Sequence, residues 1–437
     1  MTKHTLYIES LGCPKNSVDS EVMLASLLTD GWRMVDDPSE ARLIILNSCA
    51  FIEEAREETI RRLFSLHAAR RKGSRLILAG CLPQRYPSIH RLLPEVDIVV
   101  GIDDIPRIAA IAKGIGQPAP IREPRFLVTK RYARMLSLSP FTAYLKIADG
   151  CDNRCTYCVI PTIRGCYRER SVPDIVGEAR HLVAEGIREL VLIAQDTSMY
   201  GRDHSTSLGN LITRLSRLPG RFRIRVMYLH PFHITERILD AFLSEKVVPY
   251  FEIPIQHIND RLLAAMNRQY RRRDVEQLLE HIESRFGTRA VIRTTFIAGF
   301  PTETPAEHDE LRRFIETAPL DYIGLFAYSK EERTPAAAMK SLRRDTVARR
   351  TEELRRAAQE TMERRLSRFV GTTMEVLYEE FDEKSCLPIS RGYHQAPEID
   401  GITILTNLTK ERPGSFLLVR ITQQDGIDFI AETIPKR

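Results

Sequence analysis

Hydrophobic residues in the first 137 positions are concentrated in three short runs, with longer amphipathic stretches between them. The runs are rich in leucine and isoleucine, and the stretches Asp19–Leu28 and Glu53–Ala69 have helical spacing. Because strand–helix alternation is typical of a parallel sheet with helices on its faces, residues 1–137 are predicted to form an α/β domain. Each run ends in a cysteine: Leu6–Cys13, Leu43–Cys49 and Leu76–Cys81.

The same alternation recurs six times after residue 138. Asp174 and Gly186 bound one predicted amphipathic helix, and apolar residues at 275, 278, 279 and 282 share one face of another. Six strand–helix units are too few for a closed eight-unit barrel of about 250 residues, so a partial TIM-type (β/α)6 barrel is predicted. The strand-like runs are Tyr144–Ala148, Leu190–Ala194, Ile224–Leu229, Phe251–Gln256, Val291–Ile297 and Tyr322–Tyr328.

A proline-rich segment separates the first two regions and is predicted to be a linker. It contains Pro118, Pro120 and Pro124 and then a basic stretch that includes Arg131 and Arg134. This basic stretch is consistent either with a solvated segment or with one that contacts the substrate.

The pattern changes again towards the end of the chain. Asp345–Leu366 is charged and favours a helix, so residues 138–366 are predicted to form the barrel with a connecting helix. Residues 367–437 contain short apolar runs separated by glycine, proline, aspartate and asparagine, which predicts a small all-β barrel of the OB type. These runs are Met374–Tyr378, Ile402–Leu405, Phe416–Ile421 and Phe429–Thr433.

Composition narrows the class of protein. The 437 residues are 43% hydrophobic and 28% charged, which excludes collagen-like and disordered chains. The start of the sequence has no apolar signal segment, and no run of about 18 apolar residues predicts a membrane span. Eight cysteines are too few for a disulfide scaffold, so we expect a cytoplasmic protein whose clustered thiols bind metal or carry out redox chemistry.

The densest cysteine cluster follows the first barrel strand. Cys151, Cys155 and Cys158 have C-x3-C-x2-C spacing. Three thiolates at this spacing suit three irons of a 4Fe–4S cluster and leave the fourth iron open. Gly150 and Asn153 tolerate the backbone angles that such a loop needs. The alternative is a structural zinc site, which normally requires a fourth ligand, and no second cysteine pair lies nearby in the sequence.

This motif resembles the radical S-adenosylmethionine (SAM) superfamily. The resemblance implies that the open iron binds SAM, and that an electron from the cluster cleaves SAM to a 5′-deoxyadenosyl radical that abstracts hydrogen. It also implies SAM contacts at five positions, although ordinary barrel packing would account for each of them singly. No side-chain general base is identified, because radical hydrogen abstraction does not require one. The five positions are Tyr157, Gln195, Asp196, Arg293 and Gly299.

Cys13, Cys49 and Cys81 form a second candidate metal site although they are far apart in sequence. Each lies just beyond a predicted parallel strand, where α/β sheets bind ligands, so the three thiols are expected to converge. The alternative is that each is an inert core cysteine. The remaining pair, Cys166 and Cys386, shows no partner pattern and is interpreted as structural.

The combination of three regions resembles the methylthiotransferases over nearly the whole chain, with a TRAM-type barrel at the end. The resemblance implies two 4Fe–4S clusters, one on each cysteine set, and SAM as both radical source and methyl donor. It also implies an electron donor such as flavodoxin or ferredoxin, whereas the sulfur donor is left open. In this family sulfur is inserted at an unactivated carbon and then methylated.

Three stretches resemble the branch of the family that modifies the β-carbon of an aspartate in ribosomal protein S-twelve, either free or in the small subunit. The branch that modifies transfer RNA adenosines usually has Gln-Met-Asn where this chain has Pro14-Lys15-Asn16. Two residues depart from the family pattern. Ser17 stands where the family often has Leu or Val, and Thr302 stands where it usually has Gly. The three stretches are Ser10–Glu21, Tyr250–His257 and Ala396–Gly401.

Charge is divided unevenly between the regions. Residues 368–437 contain eight basic and eleven acidic residues, a net charge of −3, which leaves +9 for the rest of the +6 chain. An RNA-binding barrel should be basic, so the strip Glu379, Glu380, Asp382 and Glu383 favours a basic protein partner over RNA, unless it is only a solvated loop. Two rivals remain: a transfer RNA methylthiotransferase, and a non-enzymatic cluster-bearing redox protein that binds RNA or the ribosome.

Overall fold

The computed structural model describes residues 4–203, 205–407 and 410–434, so the ends of the first and third predicted regions, residues 1–3 and 435–437, lie outside the described residues. The N-terminal region is a five-stranded parallel sheet in the order β2-β1-β3-β4-β5. All three predicted strands are present. The two additional edge strands, β2 and β5, were not predicted because two residues are too few to show an alternation of apolar and polar positions. The elements are β1 (Thr5–Ser10), α1 (Pro14–Thr29), β2 (Arg33–Met34), β3 (Leu43–Ser48), α2 (Glu53–Ala69), β4 (Arg75–Gly80), α3 (Cys81–Arg85), β5 (Ile98–Val99) and α4 (Ile108–Ala112).

The middle region is the predicted partial barrel. Its six parallel strands form two three-stranded sheets, β10-β9-β6 and β11-β12-β13, which a backbone bridge between Ile224 and Val247 connects. The elements are β6 (Thr142–Lys146), β7 (Ala148–Asp149), α5 (Ile160–Arg164), β8 (Arg168–Glu169), α6 (Val172–Ala184), β9 (Glu189–Ile193), α7 (Leu208–Ser216), β10 (Arg223–Val226), α8 (Glu236–Ala241), β11 (Tyr250–Glu252), α9 (Asp260–Ala265), α10 (Arg272–Phe286), β12 (Val291–Ala298), α11 (Pro305–Thr317), β13 (Tyr322–Ala327) and α12 (Arg344–Leu366).

The helix predicted to begin at Asp174 begins two residues earlier, at Val172. Pro173 suits this position because the first turn of a helix does not need the missing N–H. Asp174 instead lies within the first turn, where it accepts hydrogen bonds from Arg170 Nε at 2.7 Å and from the Lys130 backbone at 3.1 Å.

The C-terminal region is a closed barrel in the order β14-β15-β16-β18-β17. The fifth strand, β15, was not predicted, because its sequence Leu-Pro-Ile-Ser-Arg-Gly has little β-type alternation. The predicted fold class is therefore confirmed in all three regions. The strands are β14 (Thr373–Asp382), β15 (Leu387–Gly392), β16 (Thr403–Leu405), β17 (Phe416–Asp425) and β18 (Asp428–Thr433).

The predicted linker does more than connect two domains. Arg134 is buried, and its guanidinium lies 2.5 Å from Glu21 of α1 and 2.5 Å from Glu178 of α6. This basic residue therefore joins the N-terminal sheet domain to the barrel and is neither solvated nor free to contact a substrate. Within the described residues, no helix combines the length and the apolar composition needed to cross a bilayer.

Candidate active site

Three cysteines lie at one edge of the N-terminal sheet. Cys13 is the residue that precedes α1, Cys49 directly follows β3, and Cys81 is the first residue of α3 after β4. Since β1, β3 and β4 are adjacent and parallel, their carboxyl ends place the three residues at the same edge.

Close packing brings these cysteines together. Gly12 has a φ of +98°, and a Cβ at this position would lie 2.8 Å from the Cys49 Sγ, so the chain before Cys13 passes directly over Cys49. Burial, with contributions from the neighbouring Cys81 and Cys13, raises the pKa of Cys49 to about 12. Buried thiols become thiolates when a bound cation compensates their charge, so this donor set fits an iron cluster.

The second set of cysteines lies in the loop between β7 and β8. These two strands pair and close the loop at its base, where the Cys151 backbone donates a hydrogen bond to the Gly165 carbonyl at 3.2 Å. Gly150 has a φ of +81°, and a Cβ there would lie 2.0 Å from the Cys166 carbonyl oxygen. Only glycine therefore allows the loop to close in this way.

The sulfur atoms of this loop have donors around them. The Ile160 backbone donates to the Cys158 Sγ at 3.4 Å, and Arg268 donates to the Cys155 Sγ at 3.5 Å. Burial raises the pKa of Cys151 to about 12 and also raises that of Cys158. Positive groups and N–H donors that face sulfur are the surroundings that an iron–sulfur cluster requires, so this set also fits a cluster.

Two of the five predicted SAM-contacting residues lie just after strand β9 and reach the cluster loop. Gln195 donates to Asp149 at 2.8 Å, and its buried Oε1 has no hydrogen-bond partner within the described residues. Asp196 accepts from Asn153 Nδ2 at 2.7 Å and pairs with His233 Nδ1 at 2.7 Å. The unsatisfied amide oxygen of Gln195 is an acceptor that a ligand with an N–H group would satisfy.

The other three predicted contacts have different surroundings. Tyr157, in the cluster loop, is half-buried and packs edge-on against Phe300 with 6.5 Å between ring centroids. Gly299 has a φ of +72°, and a Cβ there would lie 2.8 Å from Val347 of α12. Arg293 forms an ion pair with Asp400 in the C-terminal barrel. Helix packing thus accounts for Gly299, and an interdomain ion pair engages Arg293.

A buried ionic network that sequence analysis missed connects the two cysteine sets. Arg164, the last residue of α5 within the cluster loop, lies 2.6 Å from Asp19 of α1 and 3.2 Å from Asp149, which precedes Gly150. The same guanidinium also bonds to Asn16 and lies 3.5 Å from the Cys81 Sγ. No sequence pattern announces these contacts, because Arg164 and Asp19 are 145 residues apart.

Two histidines were also missed. Asp196, His230 and His233 offer ligand atoms within 4.8 Å of one another. Burial, with a contribution from the Arg268 charge, lowers the pKa of His230 to about 3, so it is neutral near pH 7. Their position just beyond β10, at the functional end of a barrel strand, was the available signal.

Cys166 and Cys386, interpreted from sequence as structural, are both exposed. Cys386 occupies a turn with a φ of +57° and donates to the Glu383 carbonyl at 3.5 Å. Neither thiol is packed in the core.

Comparisons with family models match three separate parts of the chain. The family described as "Uncharacterized protein family UPF0004" matches residues 5–101, the radical SAM superfamily matches residues 145–315, and the TRAM domain matches residues 370–434. The first and third matches coincide with the N-terminal sheet and the C-terminal barrel.

Solved structures show the same fold at low sequence identity. The radical SAM methyltransferase TsrM from Kitasatospora setae has a TM-score of 0.56 at 15% identity, covering 77% of each chain. The cobalamin-dependent SAM radical enzyme OxsB has a TM-score of 0.52 at 10% identity, covering 81% of this chain and 56% of that one.

Curated relatives match over the full length. A protein from Geobacter sulfurreducens is 41% identical and covers 99% of both chains. One from Syntrophus aciditrophicus is 40% identical over 99% of both, and one from Thermotoga maritima is 40% identical over 98% of this chain and 99% of its own. All three are named ribosomal protein uS12 methylthiotransferase RimO. The chain therefore belongs to the RimO family of radical SAM methylthiotransferases, enzymes that use SAM and 4Fe–4S clusters.

Proposed function

We propose that this enzyme adds a methylthio group to the β-carbon of an aspartate in ribosomal protein uS12, the protein called S-twelve above. The observation that carries the proposal is the position of Arg164, which contacts the Cys81 Sγ of one cysteine set and Asp149 at the base of the other. A single guanidinium that reaches both sets supports an arrangement in which they face each other across the interface between α1 and the barrel. A reaction that needs a radical and a sulfur species at one carbon requires this proximity.

Each cysteine set has a distinct proposed role. Cys151, Cys155 and Cys158 hold the cluster at which SAM binds, and Cys13, Cys49 and Cys81 hold the cluster that carries the sulfur species. When bound, the first cluster supplies the electron that cleaves SAM to a hydrogen-abstracting radical. The buried ion pairs of Arg164 orient the base of the cluster loop towards Cys81, and the loop itself is closed by the β7–β8 pair.

The SAM contacts are proposed from the unsatisfied groups near the loop. The Gln195 Oε1 suits the amino group of SAM, Asp196 is held by Asn153 and His233 beside it, and Tyr157 offers a half-buried aromatic ring to the adenine. Arg293 and Gly299 remain weaker candidates because other domain elements already engage them.

Charge supports a protein substrate over RNA. In the acidic strip, Glu379 is committed to Arg391 and Thr142, whereas Glu380 and Glu383 are exposed. Exposed acidic side chains repel a phosphate backbone and attract a basic protein. We place the enzyme in the cytoplasm, with flavodoxin or ferredoxin as electron donor and an unassigned sulfur donor.

Mass spectrometry of uS12 tests this function. The aspartate-containing peptide of uS12 should carry a methylthio group in the parent strain. In a strain that lacks this gene, the same peptide should be lighter by the mass of that group. Expression of the intact gene should restore it, and a Cys151→Ala gene should not.

Transfer RNA from the same strains provides the opposing result. An unchanged uS12 peptide together with loss of a methylthio-adenosine would show that the substrate is RNA. Absence of both changes, with no SAM cleavage by the reduced protein, would indicate a non-enzymatic role.

A further inference from the structure

Lys15 is a buried cation without an acidic partner. It lies in the first turn of α1, two residues after Cys13, and is only 6% exposed. Its Nζ lies 3.4 Å from the centroid of the Tyr228 ring. Within the described residues the Lys15 Nζ forms no ion pair and no hydrogen bond. A buried ammonium normally has a carboxylate partner, so this one requires an explanation.

The contact with Tyr228 places Lys15 between the N-terminal domain and the barrel. Lys15 lies two residues after Cys13 of the N-terminal set, whereas Tyr228 follows strand β10 of the barrel. The ammonium therefore lies at the interface across which the two cysteine sets are proposed to face each other.

The acidic residues near Lys15 already have other partners. Asp149 is paired with Lys146 at 2.5 Å and with Arg164 at 3.2 Å. Glu252 accepts a hydrogen bond from the Tyr228 backbone at 3.0 Å and lies 3.8 Å from Arg293. Among the described residues, each nearby carboxylate is thus paired with another cation or accepts a hydrogen bond from an N–H group. None of them forms an ion pair with the Lys15 ammonium.

The platform beneath Lys15 is held in a strained conformation. Tyr228 has a φ of +63°, which is uncommon for a residue with a bulky side chain. Neighbouring strands fix it there, because its backbone N–H binds Glu252 and its carbonyl accepts from the Thr197 backbone at 2.9 Å. Strained backbone that the surrounding structure holds in place is typical of ligand sites. Here it places the face of the Tyr228 ring against the Lys15 ammonium.

We infer that Lys15 binds the side-chain carboxylate of the substrate aspartate; this inference rests on the proposed function. An ammonium and a carboxylate form a strong, charge-assisted hydrogen bond in a buried site. The carbon to be modified is bonded directly to that carboxylate, so holding the carboxylate also fixes the carbon between the cysteine sets.

A lysine at this position selects a substrate that carries a negative charge beside the reacting carbon over one that is neutral there. The inference therefore makes Lys15 a specificity-determining residue of this enzyme.

Binding of two uS12 peptides to the reconstituted enzyme tests the inference. One peptide contains the target aspartate and the other has asparagine in its place, so they differ by one charge. The wild-type enzyme should bind the aspartate peptide about 30-fold or more tightly, because an unpaired buried charge costs at least about 2 kcal/mol. Lys15→Met should remove most of this preference by weakening the aspartate peptide alone, and Lys15→Arg should retain part of it.

Lys72→Met is the matched control, because Lys72 is exposed on the N-terminal domain. It should leave the preference unchanged. Iron content, the visible absorption spectrum and SAM cleavage without peptide should be those of the wild type in Lys72→Met, and the peptides are compared on samples of Lys15→Met whose iron content has been measured to equal that of the wild type.

Three results would contradict the inference. Equal affinity of the wild-type enzyme for the two peptides would contradict the inference, and this result does not depend on the folding of any variant. Lys15→Met that keeps the wild-type preference, or that weakens both peptides equally, contradicts it while leaving the proposed function intact. Wild-type enzyme that modifies RNA and ignores the aspartate peptide overturns the proposed function itself.

Discussion

At the scale of single residues, the six cysteines proposed as cluster ligands are buried or half-buried. Cys151 and Cys49 are buried thiols whose pKa values are raised to about 12, so neither is a reactive nucleophile near pH 7. Cys166 and Cys386 are exposed and belong to neither set. Sequence spacing was sufficient to identify Cys151, Cys155 and Cys158, whereas the N-terminal set could be inferred only from the equivalent positions of its members after parallel strands.

Alanine substitutions should separate the two cysteine sets. Cys151→Ala, Cys155→Ala or Cys158→Ala should abolish 5′-deoxyadenosine formation, since each removes a ligand of the cluster proposed to bind SAM. Cys49→Ala or Cys81→Ala should leave SAM cleavage measurable and stop methylthio transfer. Cys386→Ala is the control and should change neither activity. Loss of all SAM cleavage in Cys49→Ala would show that the proposed division of roles is wrong.

His257 is a buried histidine that makes stability depend on pH. Burial lowers its pKa to about 4 from 6.5, and its Nε2 has no hydrogen-bond partner within the described residues. The unfolded chain therefore takes up a proton below about pH 6.5 that the folded chain refuses, so stability falls from pH 6.5 towards pH 4, by up to about 3 kcal/mol.

His257→Gln should flatten this part of the profile in urea unfolding of the metal-free protein, because glutamine does not titrate. His90→Gln, at an exposed histidine, should leave the profile unchanged. A His257→Gln profile as steep as that of the wild type would contradict the assignment.

At the scale of elements, the cluster loop depends on how its two ends are joined. The β7–β8 pair joins Ala148–Asp149 to Arg168–Glu169, and neither strand was predicted because each has only two residues. All six barrel strands were predicted in sequence segments that overlap the observed strands, although β11 ends at Glu252, four residues before its predicted end at Gln256. Helix α6 begins before its predicted start because Ser171 and Pro173 suit a helix beginning as well as Asp174 does.

One element departs from the residue usual in the family. Thr302, where the family usually has glycine, has a φ of +67°. Its carbonyl accepts a hydrogen bond from Arg261 at 2.9 Å and its hydroxyl another at 3.1 Å, so the arginine holds the strained turn in place.

Gly150 should be essential for iron binding. Gly150→Ala places a Cβ 2.0 Å from the Cys166 carbonyl oxygen, so the loop must open and iron bound by the barrel set should be lost. Gly73→Ala is a close control, because Gly73 has a φ of +80° against +81° for Gly150 but nothing within 4 Å of an added Cβ. The control should cost only the backbone strain, about 1 kcal/mol, and retain its iron. Equal iron in the two variants would contradict this explanation of Gly150.

At the scale of the whole molecule, buried ion pairs hold the three domains around one site. Arg164 with Asp19 links the N-terminal domain to the barrel, and Arg391 with Glu189, at 2.8 Å, links the C-terminal barrel to β9. The hydrophobic pattern predicted the three regions but not these contacts, because their partners lie up to 202 residues apart in the chain. Breaking a buried pair leaves an uncompensated charge, so these arginines fix how the domains are oriented.

The most direct test of the two facing cluster sites is the iron content of the anaerobically reconstituted protein. The wild type should bind about eight irons per chain, the content of two 4Fe–4S clusters. A Cys13→Ala, Cys49→Ala, Cys81→Ala triple variant and a Cys151→Ala, Cys155→Ala, Cys158→Ala triple variant should each bind about four. A wild-type protein that binds only about four irons, with no loss in the N-terminal triple variant, would contradict the assignment of a second cluster to the N-terminal cysteines.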